Sequence, residues 1–184
     1  RRRKGISLLD AQKWMRERNY FAAMMVHEGE ADALVTGYSR SYPSVVKPML
    51  QLIGKAPGIS IVASTNMMMT NRGPIFFSDT AINPNPTADD IAKFLIMTAN
   101  TVKLFGLEPV MAMVSFSNFG SSNHDSAVKL REAVAYLHKY YPDLIVDGEI
   151  QADFALNPEM LKAKIPFSKL AGKKVNTLIF PNLE

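Results

Sequence analysis

Residues 110–122 decide how this chain is expected to fold, and they read Val-Met-Ala-Met-Val-Ser-Phe-Ser-Asn-Phe-Gly-Ser-Ser. The first five are apolar, as in a β-strand that is covered on both faces. The following residues are rich in hydroxyl groups and include Gly120, whose backbone can adopt a positive φ. A helix is predicted to begin directly after them, near Asn123 or His124. The stretch therefore predicts a strand, a polar turn and a helix in succession.

The polar turn has two interpretations. The first amide groups of a helix have no intrahelical acceptor and carry partial positive charge, so an anion such as phosphate is favoured beside them. Serine and asparagine before a helix are also ordinary N-cap residues that need no ligand. The pattern is compatible with an anion site and with a plain cap.

Strands and helices alternate along the rest of the chain. Helices are predicted over 8–18, 20–28, 43–53, 87–105 and 125–141, with a short one from 157, and strands over 34–36, 59–63, 75–77, 144–146 and 175–180. The turn Asn-Arg-Gly-Pro at 71–74 predicts an antiparallel hairpin. Three methionines at 67–69 on its first arm suit either an adaptable contact between subunits or an ordinary core and rim.

This alternation predicts an α/β fold: three α/β/α layers around a mostly parallel mixed sheet with a hairpin at one edge. We expect one domain over residues 1–184, with a helical N-terminal segment at 1–30 and an α/β body at 31–184. A chain of 184 residues, 47% of them hydrophobic, is long enough to bury a core of that size.

Composition and charge limit the function classes. The apolar runs are too short to cross a bilayer and no signal peptide is visible, so we expect a soluble, cytoplasmic protein with no membrane partner. The absence of cysteine excludes disulfides, thiolate chemistry and sulfur-based zinc sites. The net charge of +4 is concentrated in residues 1–18. Because the rest is nearly neutral, no nucleic-acid partner is expected.

Carboxylates gather where the strand near residue 146 ends, in Asp147, Glu149 and Asp153. This is a place for a magnesium ion or a general base, but Asp-Gly after a strand is also common turn chemistry. The three histidines lack ligand spacing, and no serine has the context of a nucleophile elbow. The sequence therefore assigns neither a metal site nor a catalytic residue.

A second polar stretch follows the predicted strand at 34–36 and contains Arg40, Ser41, Ser44 and Lys47. Arginine supplies a planar fork of donors and lysine a point charge, so this stretch and residues 115–122 are suited to enclose a phosphate or the pyrophosphate of CoA from two sides. A solvated loop explains the same composition.

Seven segments, in matching order over nearly the whole chain, resemble the phosphate acetyltransferase/butyryltransferase family. They are Ala-Asp-Ala-Leu-Val-Thr-Gly at 31–37, Lys-Pro-Met-Leu-Gln-Leu-Ile at 47–53, Lys-Ala-Pro-Gly at 55–58, Asn-Pro-Asn-Pro-Thr-Ala at 83–88, Phe-Gly-Leu-Glu-Pro at 105–109, Asp-Gly-Glu-Ile-Gln-Ala-Asp at 147–153 and Ile-Phe-Pro-Asn-Leu at 179–183. The resemblance implies the isocitrate/isopropylmalate dehydrogenase-like fold of phosphate acetyltransferases.

Within that family, residues 115–122 look most like the transferase-like C-terminal region of multidomain bacterial NADP-dependent malic enzymes. Lys47 also replaces the arginine that family transferases have before the proline matching Pro48. The resemblance implies a regulatory and oligomerisation domain that senses acetyl-CoA and lacks transferase activity. The parent protein would then decarboxylate malate oxidatively to pyruvate with NADP and Mg²⁺ or Mn²⁺, while this chain itself holds no cofactor.

The resemblance also implies partners and site residues. We expect acetyl-CoA or a related acyl-CoA as the ligand and a homodimer or higher homo-oligomer as the assembly. The acetyl-CoA or phosphate site is predicted at Ser41, Lys47, Ser115, Ser117, Asn118, Gly120 and Ser121. The family's catalytic Ser-Arg and Asp group lies downstream of the segment matching 181–183, so the chain alone is expected to be inactive. Arg1 matches a family substrate arginine only weakly.

Two other functions stay open on the sequence alone. One is a fragment of a phosphate acetyltransferase that converts acetyl-CoA and phosphate to acetyl phosphate and CoA. The other is a scaffold that only dimerises.

Overall fold

The computed structural model describes residues 5–183, so the basic residues 1–4, Arg1 included, lie outside the described part. The chain divides into two compact units, Arg1–Ser60 and Ile61–Glu184. The organisation as a single domain, with a boundary after residue 30, stays a prediction.

The first unit is built from three helices, α1 (Leu8–Trp14), α2 (Arg18–His27) and α3 (Tyr42–Leu52). The helix predicted over 8–18 ends early because the side chain of Glu17 caps a new helix, accepting from the amides of Asn19 and Tyr20. The hydroxyl of Tyr20 donates to Gln51 at 2.7 Å and so joins α2 to α3.

The strand predicted at residues 34–36 is wrong. These residues are irregular, and Val35 is 98% exposed. An apolar run becomes a strand only where another strand can pair with it, and the described part of the first unit contains none.

The second unit contains a five-stranded sheet in the order β1-β2-β5-β3-β4. The strands are β1 (Thr65–Thr70), β2 (Gly73–Ser78), β3 (Val110–Val114), β4 (Ile145–Ile150) and β5 (Thr177–Ile179), and the helices are α4 (Ala88–Leu104), α5 (Asp125–Tyr140), α6 (Ala152–Ala155) and α7 (Pro158–Lys164). Only β1 runs antiparallel to its neighbour. The predicted mostly parallel sheet with an edge hairpin is confirmed, although α6 was not predicted.

Helices cover both faces of this sheet. On one face, α4 and α5 bury Phe94, Leu95 and Leu130 against Met111 and Met113 of β3. On the other face, α6, α7 and the turns after them pack on the remaining strand residues. The alternate residues of β3 enter different cores, so a strand buried on both faces reads as one apolar run. The predicted three-layer α/β/α architecture is confirmed for this unit.

The first arm of the hairpin lies later in the chain than predicted. Residues 59–63 carry no strand, and β1 begins only at Thr65. The carboxylate of Asp79 accepts a hydrogen bond from the backbone amide of Ser64, and the side chain of Asn83 donates one to the carbonyl of Val62. These side chains therefore satisfy backbone groups that would otherwise pair with a neighbouring strand. None of the helices between residues 5 and 183 has the length and apolar character needed to cross a bilayer.

Candidate functional site

Residues 115–122 lie at the carboxyl end of β3, beside the carboxyl end of β4. The amide of Ser115 donates to the carbonyl of Ile150 at 2.9 Å, and the amide of Phe119 donates to the carbonyl of Glu149 at 2.8 Å. Beyond this turn, α5 begins at Asp125 with His124 as its N-cap. The predicted order of strand, polar turn and helix is therefore confirmed. We call residues 115–122 the β3–α5 loop.

The donors of the β3–α5 loop surround a carboxylate of the protein itself. Glu149 is fully buried, and its Oε1 accepts from the hydroxyl of Ser117 at 2.8 Å, the amide of Gly120 at 2.9 Å and the guanidinium of Arg131 at 2.8 Å. Arg131 also donates to the carbonyl of Ser122 at 2.9 Å, which ties α5 to the loop. The charged partner and the neutral donors offset part of the desolvation of this carboxylate, while its Oε2 is buried without a hydrogen-bond partner among residues 5–183.

The other predicted residues of this loop are divided between internal and exposed positions. Ser117 is 1% exposed, and its hydroxyl also contacts that of Ser121 at 2.9 Å. Asn118 forms a reciprocal pair with Gln151, donating to its side chain at 2.7 Å and accepting from its amide at 2.8 Å. Ser121 and Gly120 are exposed and Ser115 is partly exposed. The structure thus brings the five predicted loop residues together, with Ser117 and Asn118 bonded to protein groups.

Ser41 and Lys47 belong to the first unit. Ser41 is the N-cap of α3, and Lys47 lies inside that helix, as the helix predicted over 43–53 places it. The helix begins at Tyr42 because Pro43 suits a first turn, where its missing amide proton costs no hydrogen bond. Both side chains are exposed. Their place in one site with the β3–α5 loop stays a prediction.

A polar cleft of about 520 Å³ lies where α4 and α5 begin. It is lined by the start of α4 at Thr87 and the start of α5 at Asp125, together with Lys129 and Asn85. The ammonium of Lys129 donates to the side-chain oxygen of Asn85 at 2.9 Å. A smaller space of about 380 Å³, lined by Ser115, Phe116 and Pro181 among others, shares His124, Ser126 and Asn182 with it.

This carboxyl-edge cleft is suited to an anion. Two long helices present their N-termini there, and Lys129 adds a full positive charge. Asp125 and Glu132 also line the cleft and limit its net positive charge. In open α/β sheets, ligands bind beyond the carboxyl ends of the strands, which is where this cleft lies.

Sequence reasoning missed Lys129 and Arg131 as parts of this region. A signal was present for Lys129, which lies about one turn inside a helix whose start was predicted correctly. No signal identified Arg131 as the partner of Glu149, because that contact joins a helix to a strand through tertiary packing.

After Glu149, a second buried carboxylate is that of Asp79, which is 4% exposed. It holds the segment between β2 and α4 that leads to the cleft. It accepts from the amide and hydroxyl of Ser64 at 2.9 and 2.6 Å and from the amide of Asn83 at 2.8 Å. Burial by itself would raise the pKa of Asp79, but the hydrogen bonds from Ser64 and Asn83 outweigh it, so the pKa is lowered from its usual value. Asp79 therefore fixes the segment that leads to Asn85.

We expect Asp79→Asn to lower the free energy of unfolding by about 2–4 kcal/mol, because the amide cannot accept all of these hydrogen bonds and loses the charge that strengthens them. Urea unfolding at pH 7 measures this loss. The pKa of Asp79 is lower in the folded than in the unfolded protein. The stability difference between wild type and variant is therefore complete above the unfolded pKa and declines as the pH falls through the folded pKa.

The matched control is Asp89→Asn. Asp89 is exposed and pairs with Lys93 on the surface of α4, so its loss should cost less than about 1 kcal/mol. Equal losses for the two variants would contradict a structural role for Asp79.

The carboxylates considered for a metal do not act together. Asp147 accepts from the hydroxyl of Ser168 and the amide of Lys169, each at 2.9 Å, whereas Glu149 faces Ser117 and Arg131. The ladder between β3 and β4 shifts register between Met113 and Val114, next to the point where the two side chains diverge. Across residues 5–183 no three His, Asp or Glu side chains are grouped as metal ligands.

A larger cavity of about 730 Å³ lies at the opposite edge of the sheet, where β2 and β5 begin. Its walls are mainly apolar, with Ile75, Leu107 and Val175, and its basic residues are Arg72 and Lys174. Among residues 5–183, no long helix begins in the lining of this cavity. The carboxyl-edge cleft is therefore the stronger candidate for a site that recognises charged substrates.

Comparison with known proteins agrees with this fold. The family described as phosphate acetyl/butaryl transferase matches residues 1–184. A phosphate acetyltransferase of Thermoanaerobacterium thermosaccharolyticum is 40% identical over all of this chain, which spans 58% of that protein. A phosphotransacetylase structure from Streptococcus pyogenes is 41% identical with a TM-score of 0.84, covering 98% of this chain and 56% of that one. An NAD-dependent malic enzyme of Rhizobium meliloti is 39% identical over 88% of this chain and 21% of its own length.

These findings correct one prediction from the sequence. The interpretation as a regulatory domain of an NADP-dependent malic enzyme is wrong, and so is the assignment to an NADP-dependent oxidoreductase class. Phosphate acetyltransferases match the entire chain, at an identity comparable to or higher than that of the malic enzyme. The prediction gave too much weight to the amino-acid sequence of one loop, residues 115–122. In the structure Ser117 and Gly120 of that loop donate to the buried carboxylate of Glu149 on β4, so these residues have a structural role that does not depend on which protein contains the chain.

Proposed function

This chain belongs to the phosphate acetyl/butaryl transferase family, and we propose that it forms part of a phosphate acetyltransferase. The reaction transfers an acetyl group from the sulfur of acetyl-CoA to a phosphate oxygen, releasing CoA and acetyl phosphate. The observation that carries the proposal is the match of phosphate acetyltransferases over all 184 residues. The chain spans about 58% of such a relative, so the activity is proposed for the whole protein.

The geometry of the second unit supports this proposal. Both substrates are anionic, and the carboxyl-edge cleft offers two helix N-termini and Lys129. We propose that phosphate or the phosphates of an acyl-CoA bind there, with Ser115, Gly120 and Ser121 of the β3–α5 loop as contacts. Ser117 and Asn118 then act as supports of that loop, because Ser117 is buried against Glu149 and both polar atoms of the Asn118 side chain are bonded to Gln151.

For the first unit, we propose Ser41 and Lys47 as contacts to the acyl-CoA, on the basis of their charge and hydrogen-bonding groups. The transfer of an acyl group from a thioester to phosphate moves no electrons between carriers, so we propose no redox cofactor. A cytoplasmic location and a homo-oligomer are parts of the same proposal.

The direct test uses the full-length protein that contains this chain, mixed with acetyl-CoA and phosphate. We expect free CoA thiol and acetyl phosphate to appear in equal amounts, and thiol release to stop when phosphate is omitted. Thiol release without acetyl phosphate would mean simple hydrolysis and would refute the proposed transfer.

Lys129→Ala in the full-length protein is expected to raise the KM for phosphate or acetyl-CoA about tenfold, which corresponds to about 1.4 kcal/mol of lost binding. The reason is that the variant removes the full positive charge from the cleft. Steady-state kinetics measure this change. Lys103→Ala is the control, since Lys103 is exposed in the last turn of α4, and should leave the KM unchanged. An unaltered KM in Lys129→Ala would exclude this lysine from the site.

A further inference from the structure

The β3–α5 loop has a backbone conformation that its own residues do not favour. Phe119 has a φ of +42°, which is uncommon for a residue with a side chain, and Gly120 follows with a φ of +90°. A strained residue of this kind persists only where its surroundings hold it in place. The residues around the loop therefore determine where its hydrogen-bonding groups lie.

Glu149 is the residue that holds both of these positions. Its backbone carbonyl accepts from the amide of Phe119 at 2.8 Å, and its Oε1 accepts from the amide of Gly120 at 2.9 Å. The hydroxyl of Ser117 donates to the same oxygen at 2.8 Å. One fully buried residue of β4 is thus bonded to three residues of the loop.

Arg131 extends this arrangement to the end of the loop. Its Nη1 donates to Oε1 of Glu149 at 2.8 Å and to the carbonyl of Ser122 at 2.9 Å. The amide of Ser122 in turn donates to the hydroxyl of Ser117 at 3.1 Å. The ion pair therefore connects β4, the loop and α5, and it fixes the loop at both of its turns.

Stability alone is a weak reason for this arrangement. A buried ion pair gains little over well-packed apolar residues of the same volume, because the charges lose their hydration. The unpartnered Oε2 of Glu149 adds to that loss. Groups that are unfavourable to bury but define one geometry are typical of sites whose donors must be preorganised.

We propose that Glu149 and Arg131 are positioning residues for the binding of an acyl-CoA. They act through the β3–α5 loop, by holding the hydroxyls of Ser115 and Ser121 where these meet the phosphates of the substrate, and they do not contact the substrate themselves. This inference rests on the proposed function, which assigns those hydroxyls to the site. It follows that the affinity for an anion depends on a carboxylate, a group of the same charge sign.

Glu149→Gln in the full-length protein separates positioning from simple electrostatics. The loss of a negative charge beside an anion site would by itself tighten substrate binding, whereas a displaced loop weakens it. We expect the KM for acetyl-CoA to rise about tenfold, because small displacements of binding groups have effects of that size. Steady-state kinetics measure this change at a temperature where circular dichroism shows the variant to be folded. An unchanged or lower KM would overturn the proposal.

Asp147→Asn is the matched control. Asp147 is also a buried carboxylate of β4, but it accepts from Ser168 and Lys169 instead of from the loop. A loss of stability alone reduces the amount of folded enzyme, which lowers the apparent kcat and leaves the KM unchanged. We therefore expect an unchanged KM in Asp147→Asn, and an equal rise of KM in both carboxylate variants would contradict a specific role of Glu149.

Arg131 gives a second test that keeps the carboxylate. Arg131→Lys retains a charged donor for Glu149, whereas Arg131→Met removes it. We expect the KM for acetyl-CoA to rise about tenfold in Arg131→Met and by less in Arg131→Lys. A KM in Arg131→Met equal to that of the wild type would also overturn the proposal.

Hydrogen exchange without substrate tests the position of the loop independently of the reaction. Peptides covering residues 115–122 should exchange faster in Glu149→Gln than in Asp147→Asn, and equal exchange would contradict the inference. The two levels of the account fail differently. A wild type that transfers no acetyl group would refute the proposed function and this inference with it, whereas an active wild type with an unchanged KM in Glu149→Gln would refute this inference alone.

Discussion

Glu149→Gln is expected to lower the free energy of unfolding by about 3–5 kcal/mol, the loss found when one partner of a buried ion pair is removed. The variant keeps the shape of the side chain but leaves Arg131 without its carboxylate. It also weakens the bonds from Ser117 and Gly120, which are stronger to a charged acceptor. The β3–α5 loop should therefore become more mobile as well as less stable.

The measurement is urea unfolding of the variant beside Glu132→Gln. Glu132 lies on the exposed side of the same helix as Arg131, so the control makes the same chemical change without touching the buried pair and should shift stability by less than about 0.5 kcal/mol. A loss below about 1 kcal/mol in Glu149→Gln would show that the carboxylate does not organise the loop.

Gly148→Ala is expected to be at least as damaging, with a loss of about 4 kcal/mol or more, because strain and a clash combine at one position. Gly148 has a φ of +138°, a backbone conformation that residues with a side chain rarely adopt. A Cβ there would lie 2.7 Å from the carbonyl oxygen and 2.8 Å from the Cβ of Met113 on the neighbouring strand. Since Met113 is fully buried, neither strand has room to move.

Gly106→Ala separates the two contributions. Gly106 also has a positive φ, of +72°, but no atom lies within 4 Å of the position its Cβ would take. It should lose only about 1–2 kcal/mol, the cost of the left-handed conformation alone. Thermal and urea unfolding of both variants check this difference, and equal losses would refute the close approach between β3 and β4.

Much of the second unit was predictable because local patterns and tertiary packing agree there. Val110–Val114 is uniformly apolar and is buried on both faces, as its sequence predicts. The long helix α4 has a capping box at Thr87 and Asp90 and begins where the sequence places its start. In such segments each local preference favours the same structure as the fold does.

The wrong strand predictions occur where an apolar run would need a neighbouring strand to pair with. The sequence does not show whether such a strand is present. The apolar residues at 34–36 have no strand to join among the described residues of the first unit, and in the run at 59–63 the carbonyl of Val62 accepts from the side chain of Asn83 instead of from another strand. Secondary structure at these points depends on contacts between residues far apart in the chain.

The candidate site shows the same limit in its chemistry. The hydroxyl and glycine pattern of residues 115–122 indicated donors suited to a bound anion or to a helix cap, and in the structure Ser117 and Gly120 donate to the chain's own Glu149. Asp147-Gly148-Glu149 was considered as a group of metal ligands, and in the structure its two carboxylates anchor different segments. Residue types indicated donors and acceptors, whereas their pairing required the folded chain.

We propose that anionic substrates bind at the carboxyl-edge cleft, between the starts of α4 and α5. Hydrogen exchange of the full-length protein, with and without CoA or acetyl phosphate, distinguishes this cleft from the opposite cavity. We predict slower exchange in peptides covering residues 83–88 and 121–129 when ligand is present. Unchanged exchange in those peptides, with slowing instead around residues 70–75 and 174–176 at the opposite cavity, would contradict it.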